Sequence, residues 1–181
     1  MSVRRAVLVA GLAAPLLAAR GAAAAPDVYK EPDEFIRSAF AGQPPAPQLL
    51  WPSPALQQRM QAVLGHPYRQ LRIRYWRADK SDKRTAWVLD EVGKDEEITI
   101  GFVLAGDAIE RTEVLVFRES RGWEIRFPAY TRQFGGARLA DGDRLDRKID
   151  GITGATLSVQ AYERLARLAL VLHREVITHA P

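Results

Sequence analysis

The chain has 181 residues, 47% of them apolar, and it contains no cysteine. A chain of this length can bury a sizeable core as one domain, and the lack of thiols excludes disulfides, iron–sulfur clusters, covalent c-type haem and thiolate metal sites. The formal charge is +4, from 26 basic and 22 acidic residues. Because the sequence shows no basic stripe interleaved with aromatic residues, we do not expect nucleic acid as a partner.

The first 24 residues have the pattern of a secretory signal peptide. Arg4 and Arg5 precede an apolar stretch of about 14 residues, and small residues up to Ala24 provide a cleavage site. The stretch is shorter than the roughly 20 residues that span a bilayer. We therefore expect a cleavable leader over residues 1–24 and export to the periplasm, with an uncleaved membrane anchor as the alternative. Without the leader the chain keeps only about one net positive charge.

Residues 25–66 are predicted to form an N-terminal helical segment. The spacing of apolar residues predicts a short helix over 31–40, followed by a proline-rich connector over 42–47. Ser53 and Pro54 supply an N-cap and a proline at the first helical position of a second helix. Gly65 is expected to end that helix.

The middle of the chain changes to the alternation typical of strands. Leu71, Ile73 and Tyr75 alternate with Arg72, Arg74 and Trp76. Residues 85–92, 98–104 and 109–117 give three further strands joined by short turns. The long stretch 118–142 is expected to be irregular, and a final apolar-striped helix is expected over 158–176. These elements predict an α+β single domain, in which helices pack on an antiparallel meander of four or more strands.

The segment Asp150–Ser158, with the sequence DGITGATLS, lies just before this last helix. Thr156 or Ser158 in such a place is commonly an N-cap, with Gly154 allowing the chain to turn. The same arrangement also lets backbone N–H groups and a hydroxyl approach a phosphate closely. The segment lacks the lysine of a Walker loop and the three glycines of a dinucleotide fingerprint, so residues alone leave both interpretations open.

The pattern D-x-x-[ST]-G-A-T-x-[ST] closely resembles the flavinylation motif of the FMN-binding domain found in the C and G subunits of bacterial sodium-pumping and Rnf-type electron-transport complexes. The resemblance implies that a flavin transferase joins FMN through its phosphate to Thr156, at the N-terminus of the last helix. It implies small residues at Gly154 and Ala155, and phosphate contacts from Thr153 and Ser158. Asp150 is expected to order the turn or to engage the transferase.

A second stretch supports the resemblance, which covers roughly residues 70–176. Glu119 and Ser120 lie where the family has a Glu-Thr-x-Gly turn, and residues 133–136 resemble its Q-F-x-G step. The chain departs from the family pattern because a serine replaces the threonine and arginine follows it. The resemblance implies that Glu119, Ser120 and Trp123 belong to the flavin pocket, with Trp123 stacking on the ring. Packing of Trp123 on the sheet and a solvated Glu119 are the alternatives.

These inferences lead to one functional hypothesis and two alternatives. We expect residues 67–181 to be an FMN-binding domain in an exported electron carrier, matured by a flavin transferase and working with membrane or periplasmic redox partners. A periplasmic flavin-dependent reductase that acts on a small substrate is one alternative, and a binding or adaptor domain without redox chemistry is the other. The three histidines are too far apart in sequence to predict a metal site.

Overall fold

The computed structural model describes residues 25–79 and 83–179, so the predicted signal peptide lies outside the described residues. In this part of the chain no helix is long and apolar enough to cross a membrane. The helices are α1 (Pro32–Ala39), α2 (Pro54–Leu64), α3 (Pro128–Thr131) and α4 (Thr156–His179). The strands are β1 (Asp27–Val28), β2 (Gln48–Leu50), β3 (Ile73–Trp76), β4 (Arg84–Val92), β5 (Glu97–Ala105), β6 (Ala108–Phe117), β7 (Leu139–Ala140) and β8 (Arg144–Leu145).

Six strands form one antiparallel sheet in the order β1-β6-β5-β4-β3-β2. The central strands β3 to β6 are the predicted meander, so the α+β prediction is confirmed. The short edge strands β1 and β2 were not predicted. Each of them is only two or three residues long, which is too short for an alternation of apolar and polar residues to show in the sequence.

Both faces of the sheet are covered, and this explains why β5 is buried continuously over residues 98–104. The long helix α4 packs on β4 and β5 from one side, and the short helix α1 packs on the same strands from the other. Phe35 and Ile36 of α1 belong to the smaller of the two apolar clusters, whereas α2 and α4 contribute to the larger one. A central strand between two helical layers has no solvent-facing side, and the buried residues of β5 are accordingly apolar except Thr99, whose hydroxyl donates to Asp90 Oδ1 at 2.6 Å.

The helix ends follow local signals. Ser53 Oγ accepts a hydrogen bond from the Leu56 N–H group at 3.2 Å, and Gly65 ends α2 in the left-handed conformation at φ 86°. The last helix begins at Thr156, two residues earlier than predicted, and extends to His179. The apolar stripe predicted for this helix faces the core, since four of its side chains are fully buried: Leu165, Leu168, Ala169 and Leu172.

The stretch predicted to be irregular instead contains helical turns and a short hairpin. Helical turns occupy residues 123–126, 128–131 and 132–134, and β7 pairs with β8. Aromatic side chains hold this stretch on α4: Phe134 stacks on Tyr162 with ring centroids 4.6 Å apart, and Tyr130 meets Tyr162 edge to face at 5.4 Å. Gly122 and Gly135 flank these helical turns and Pro128 begins the second one, so the glycines and the proline of the stretch delimit short turns.

His173 of α4 is buried and fully hydrogen-bonded. Its Nε2 lies 2.9 Å from the carbonyl oxygen of Gly106, and its Nδ1 lies 2.7 Å from Thr85 Oγ1. Because a carbonyl can only accept, Nε2 carries the proton, and the Thr85 hydroxyl donates to Nδ1. Thr85 Oγ1 in turn accepts from Trp87 Nε1 at 2.8 Å. The neutral imidazole is thus a packed part of the core.

Burial lowers the pKa of His173 below its usual value of 6.5. The folded state therefore binds fewer protons than the unfolded state below that pH, and it loses stability as the pH falls. We expect the excess stability of the wild type over His173→Gln, measured by urea unfolding, to be smaller at about pH 5.5 than at about pH 7.5. His66, whose pKa is raised by its hydrogen bond to Glu91, is common to both proteins and cancels. An excess that grows on acidification would contradict this.

Candidate functional site

A cavity of about 520 Å³ opens at the first turn of α4. Three segments distant in sequence form its wall: the turn between β4 and β5, the stretch after β6, and the segment that leads into α4. They meet because β4, β5 and β6 are neighbours in the sheet and α4 packs across them. The lining residues are Lys94, Glu119, Ser120, Arg121, Gly154, Ala155, Thr156, Leu157 and Ser158.

Thr156 is the first residue of α4, and it is exposed in the cavity wall. Ala155 precedes it in the N-cap position, and its N–H group donates to the Ile152 carbonyl oxygen at 3.0 Å. Alanine has no side-chain acceptor and is a poor N-cap. Neither Thr156 nor Ser158 occupies that position, so the interpretation of these hydroxyls as caps is wrong. The N–H groups of the first helical turn lack intrahelical acceptors and lie beside the cavity.

The turn after β6 packs directly against this first helical turn. Gly122 has a φ of 88°, and a Cβ built on it would overlap Ser158 Oγ and lie 3.1 Å from Ser158 Cβ and 3.5 Å from Ala155 Cβ. Only glycine satisfies both the left-handed conformation and the close approach. Ser158 is accordingly buried, and the two walls of the cavity are joined at this contact.

Glu119 holds the turn between β4 and β5 in place. Its Oε1 accepts hydrogen bonds from three successive backbone N–H groups, two of them at 2.7 and 3.0 Å: those of Lys94, Asp95 and Glu96. A Cβ on Gly93 would lie 2.7 Å from the same oxygen, so the carboxylate occupies space that only a glycine leaves open. This arrangement keeps Lys94 in the cavity wall.

Gln133 connects the second predicted stretch to the motif before α4. Its Oε1 accepts from the Asp150 N–H group at 2.8 Å, and its Nε2 lies 3.4 Å from the Asp150 carbonyl oxygen. The side-chain amide therefore pairs with both backbone groups of Asp150. Since the adjacent Phe134 stacks on α4, the motif is fixed from two sides.

Residues 93–171 match the family model described as FMN-binding domain. The match begins at the turn that Glu119 holds, includes every residue in the wall of the cavity, and continues into α4. This part of the chain is an FMN-binding domain. The resemblance that rested on the DGITGATLS segment is therefore confirmed. No curated protein and no solved structure gives a significant match to the chain.

The cavity of the FMN-binding domain fits a phosphorylated flavin. Lys94 and Arg121 are the basic residues in its wall, and they favour an anion there. The carboxylate of Glu119, the acidic residue of the wall, is already bonded to three N–H groups. Gly154, at φ 86°, has nothing within 4 Å of the position of a Cβ, which leaves open space next to Thr156. The N-terminus of α4 adds a favourable dipole for a phosphate.

The structure brings most of the predicted site residues together in this wall: Glu119, Ser120, Gly154, Ala155, Thr156 and Ser158. Asp150, Thr153 and Trp123 do not line the cavity. The Trp123 ring instead meets the Phe127 ring edge to face at 5.3 Å. The flavin contacts expected of these residues stay predictions.

Three residues of the wall were not predicted as site residues: Lys94, Arg121 and Leu157. The two cations are each next to a glycine that the packing requires, Gly93 and Gly122. A basic residue beside a turn glycine was thus the available signal. Charged residues in turns are common on any protein surface. Lys94 and Arg121 differ from them only because the tertiary fold brings their two turns to the wall of one cavity.

The hydrogen bonds of Glu119 lead to a testable expectation. A hydrogen bond to a charged acceptor contributes about 1.5–3 kcal/mol to the free energy of unfolding when it is buried, and it contributes less at a half-buried site. We expect Glu119→Ala to lower the free energy of unfolding by about 1–3 kcal/mol and to weaken FMN retention, measured by urea unfolding and by flavin content. Glu119→Gln keeps an oxygen and should lose less. Glu124→Ala, another half-buried acid, is the control, and an equal loss there would contradict the role of Glu119.

Proposed function

We propose that this chain is an exported electron-transfer protein that carries FMN through a phosphoester to Thr156 Oγ1 and relays electrons between redox partners. The observation that carries the proposal is the position of the Thr156 hydroxyl, exposed in the wall of the cavity at the first turn of α4. Lys94 and Arg121 lie in the same wall. The match to the FMN-binding domain and the DGITGATLS motif support FMN as the group attached there.

Attachment is a phosphoryl transfer that needs a partner enzyme. Thr156 Oγ1 attacks the phosphorus of a flavin nucleotide, an O–P bond forms, and the bond to the leaving group breaks. A flavin dinucleotide supplies a good leaving group, because cleavage of its pyrophosphate releases a nucleoside monophosphate. The hydroxyl proton passes to a base of the flavin transferase, since a threonine hydroxyl is a poor nucleophile unaided and the Glu119 carboxylate in the cavity wall is already bonded to three N–H groups.

The small residues before Thr156 suit this reaction. Gly154 and Ala155 present little side chain, so the segment can enter the active site of the transferase. After attachment the phosphodiester keeps one negative charge. The N-terminus of α4, Lys94 and Arg121 then stabilise that charge where it is formed.

A covalent tether suits a protein that works outside the cytoplasm. A dissociated cofactor would be lost to the medium there, whereas an ester to Thr156 retains it. The leader-like residues 1–24 support export to the periplasm, with membrane anchoring as the less favoured arrangement. A flavin takes up two electrons and releases them singly, so the protein can connect one- and two-electron partners in or at the membrane.

The proposal is tested by producing the mature chain with and without a flavin transferase. With the enzyme, we expect the intact mass to rise by that of FMN less one water, and the added mass to map to the peptide that contains Thr156. The yellow colour should stay with the polypeptide after denaturation. Bare polypeptide in both samples would overturn the covalent attachment. Turnover of a small substrate by the isolated protein would instead favour a reductase.

A further inference from the structure

Four side chains beside the FMN cavity form a cluster that we call the aromatic–arginine cluster: Tyr29, Trp123, Arg126 and Phe127. The guanidinium carbon of Arg126 lies 4.4 Å from the ring centroid of Tyr29, 5.2 Å from that of Trp123 and 5.4 Å from that of Phe127. One cation is thus shared by three rings. The rings come from two distant parts of the chain, the segment after β1 and the helical turns after β6.

The cluster is open to solvent. Trp123 is 40% exposed and Phe127 is 42% exposed. Within residues 25–79 and 83–179, no carboxylate lies at ion-pair distance from Arg126. A groove of about 430 Å³ runs beside the cluster and is lined in part by Tyr29, Arg126 and Phe127. The charged residues Lys30 and Glu113 also line it and form an ion pair with each other. Trp123 and Arg126 are exposed and Tyr29 is half-buried, and tryptophan, tyrosine and arginine are the residues that contribute most to protein–protein interfaces.

The cluster is joined to the flavin site by a single turn. Arg121 lies in the cavity wall and Trp123 in the cluster. Between them Gly122 contacts Ser158, two residues after Thr156. Leu157, which also lies in the wall, is 44% exposed. A protein bound to the cluster would therefore sit at the mouth of the cavity.

The charges of this surface indicate the partner. From residue 121 to residue 132 there are three exposed arginines, Arg121, Arg126 and Arg132, and one acid, Glu124. Asp27 is close to the cluster and accepts a hydrogen bond from the Tyr29 hydroxyl at 3.3 Å. The three rings contact Arg126 through their π systems, so the N–H groups of the guanidinium can still donate to a carboxylate.

We propose that the aromatic–arginine cluster is the docking surface for an acidic redox partner protein, whose carboxylates pair with Arg126 while its apolar surface covers Trp123 and Phe127. The proposal rests on the proposed electron-transfer function. It adds which side of the molecule the partner contacts and that the partner is acidic. The rings hold the guanidinium in place before binding, so less side-chain freedom is lost when the complex forms.

The first test measures binding without flavin chemistry. The mature Thr156→Ala chain is titrated calorimetrically with cytochrome b5, an acidic haem protein, and with cytochrome c, a basic one. We expect the acidic probe to bind more tightly, and Arg126→Glu to weaken that binding about tenfold or more. The matched control is Arg74→Glu, since Arg74 is also an exposed arginine without an ion pair in the described part of the chain but lies on β3. No binding of the acidic probe, or an equal effect at Arg74, overturns the proposal.

The second test uses the FMN-loaded protein reduced with dithionite. Each ferric haem of the acidic probe takes one electron, so two haems are reduced for each flavin that returns to the oxidised state with release of its protons. We expect the second-order rate to fall with added salt and to fall several-fold in Arg126→Glu at low salt, with flavin content unchanged. A rate unaffected by Arg126 overturns the docking surface alone. If the chain never acquires FMN but still binds the acidic probe through Arg126, the proposed electron-transfer function is overturned and the docking surface is not.

Discussion

Replacing Thr156 with alanine is expected to remove all covalently bound flavin from protein produced with a flavin transferase. The nearest other hydroxyl in the motif, that of Ser158, is buried against Gly122 and cannot reach the transferase. Thr156→Ser keeps an exposed hydroxyl at the first residue of α4 and should retain the attachment. In-gel flavin fluorescence and intact mass measure both variants.

The matched control for this pair is Thr153→Ala. Thr153 is an exposed threonine in the same motif, but it does not line the cavity, so its loss should leave the ester in place. Full flavin attachment in Thr156→Ala would show that another residue is the acceptor. Loss of flavin in all three variants would indicate that the transferase requires the whole segment rather than one hydroxyl.

The second large effect is expected from Gly122→Ala. A residue other than glycine at φ 88° costs about 1–2 kcal/mol, and forcing a methyl group into a packed contact costs about 1–3 kcal/mol more. The free energy of unfolding should therefore fall by about 2–5 kcal/mol. Because the overlap is with Ser158, the first turn of α4 should shift and flavin attachment should fall as well. Urea unfolding and flavin content report the two effects.

Gly65→Ala separates backbone strain from steric overlap. Gly65 has a φ of 86°, and nothing lies within 4 Å of the position of its Cβ. It should lose only about 1–2 kcal/mol and keep its flavin. In the double variant Gly122→Ala with Ser158→Ala the overlap with the hydroxyl is relieved, so part of the stability should return. A loss at Gly122 no larger than that at Gly65 would contradict the packing role of Gly122.

The motif before α4 shows how far local sequence can locate a site. The segment 150–158 predicted a hydroxyl at a helix start, and the structure places Thr156 at the first residue of α4. The same sequence also allowed Thr156 to be an ordinary N-cap. Ala155 occupies the N-cap position instead. Alanine is a poor N-cap, so the helix lacks the stabilisation of a capping side chain at the place where a site is expected.

The walls of the cavity, in contrast, could not be located from local sequence. Lys94 and Arg121 are separated by 27 positions in sequence, and each follows or precedes a glycine in a turn that looks ordinary by itself. Strands β5 and β6 form a hairpin that returns the chain to the end of β4, with Ile98 paired to Phe117. That pairing brings Glu119 to the N–H groups of the turn at Lys94, which no local pattern indicates.

Local chemistry was sufficient for α1, α2, α4 and the central strands, because helix caps and the alternation of apolar residues depend on neighbours only a few positions apart. It predicted α2 between Pro54 and Gly65 and the four strands of the meander. The edge strands, the short turns that pack on Tyr162 and the basic wall of the cavity depend on contacts between segments tens of residues apart. Only the tertiary fold decides such contacts, because burial and packing select among many arrangements that are locally equivalent.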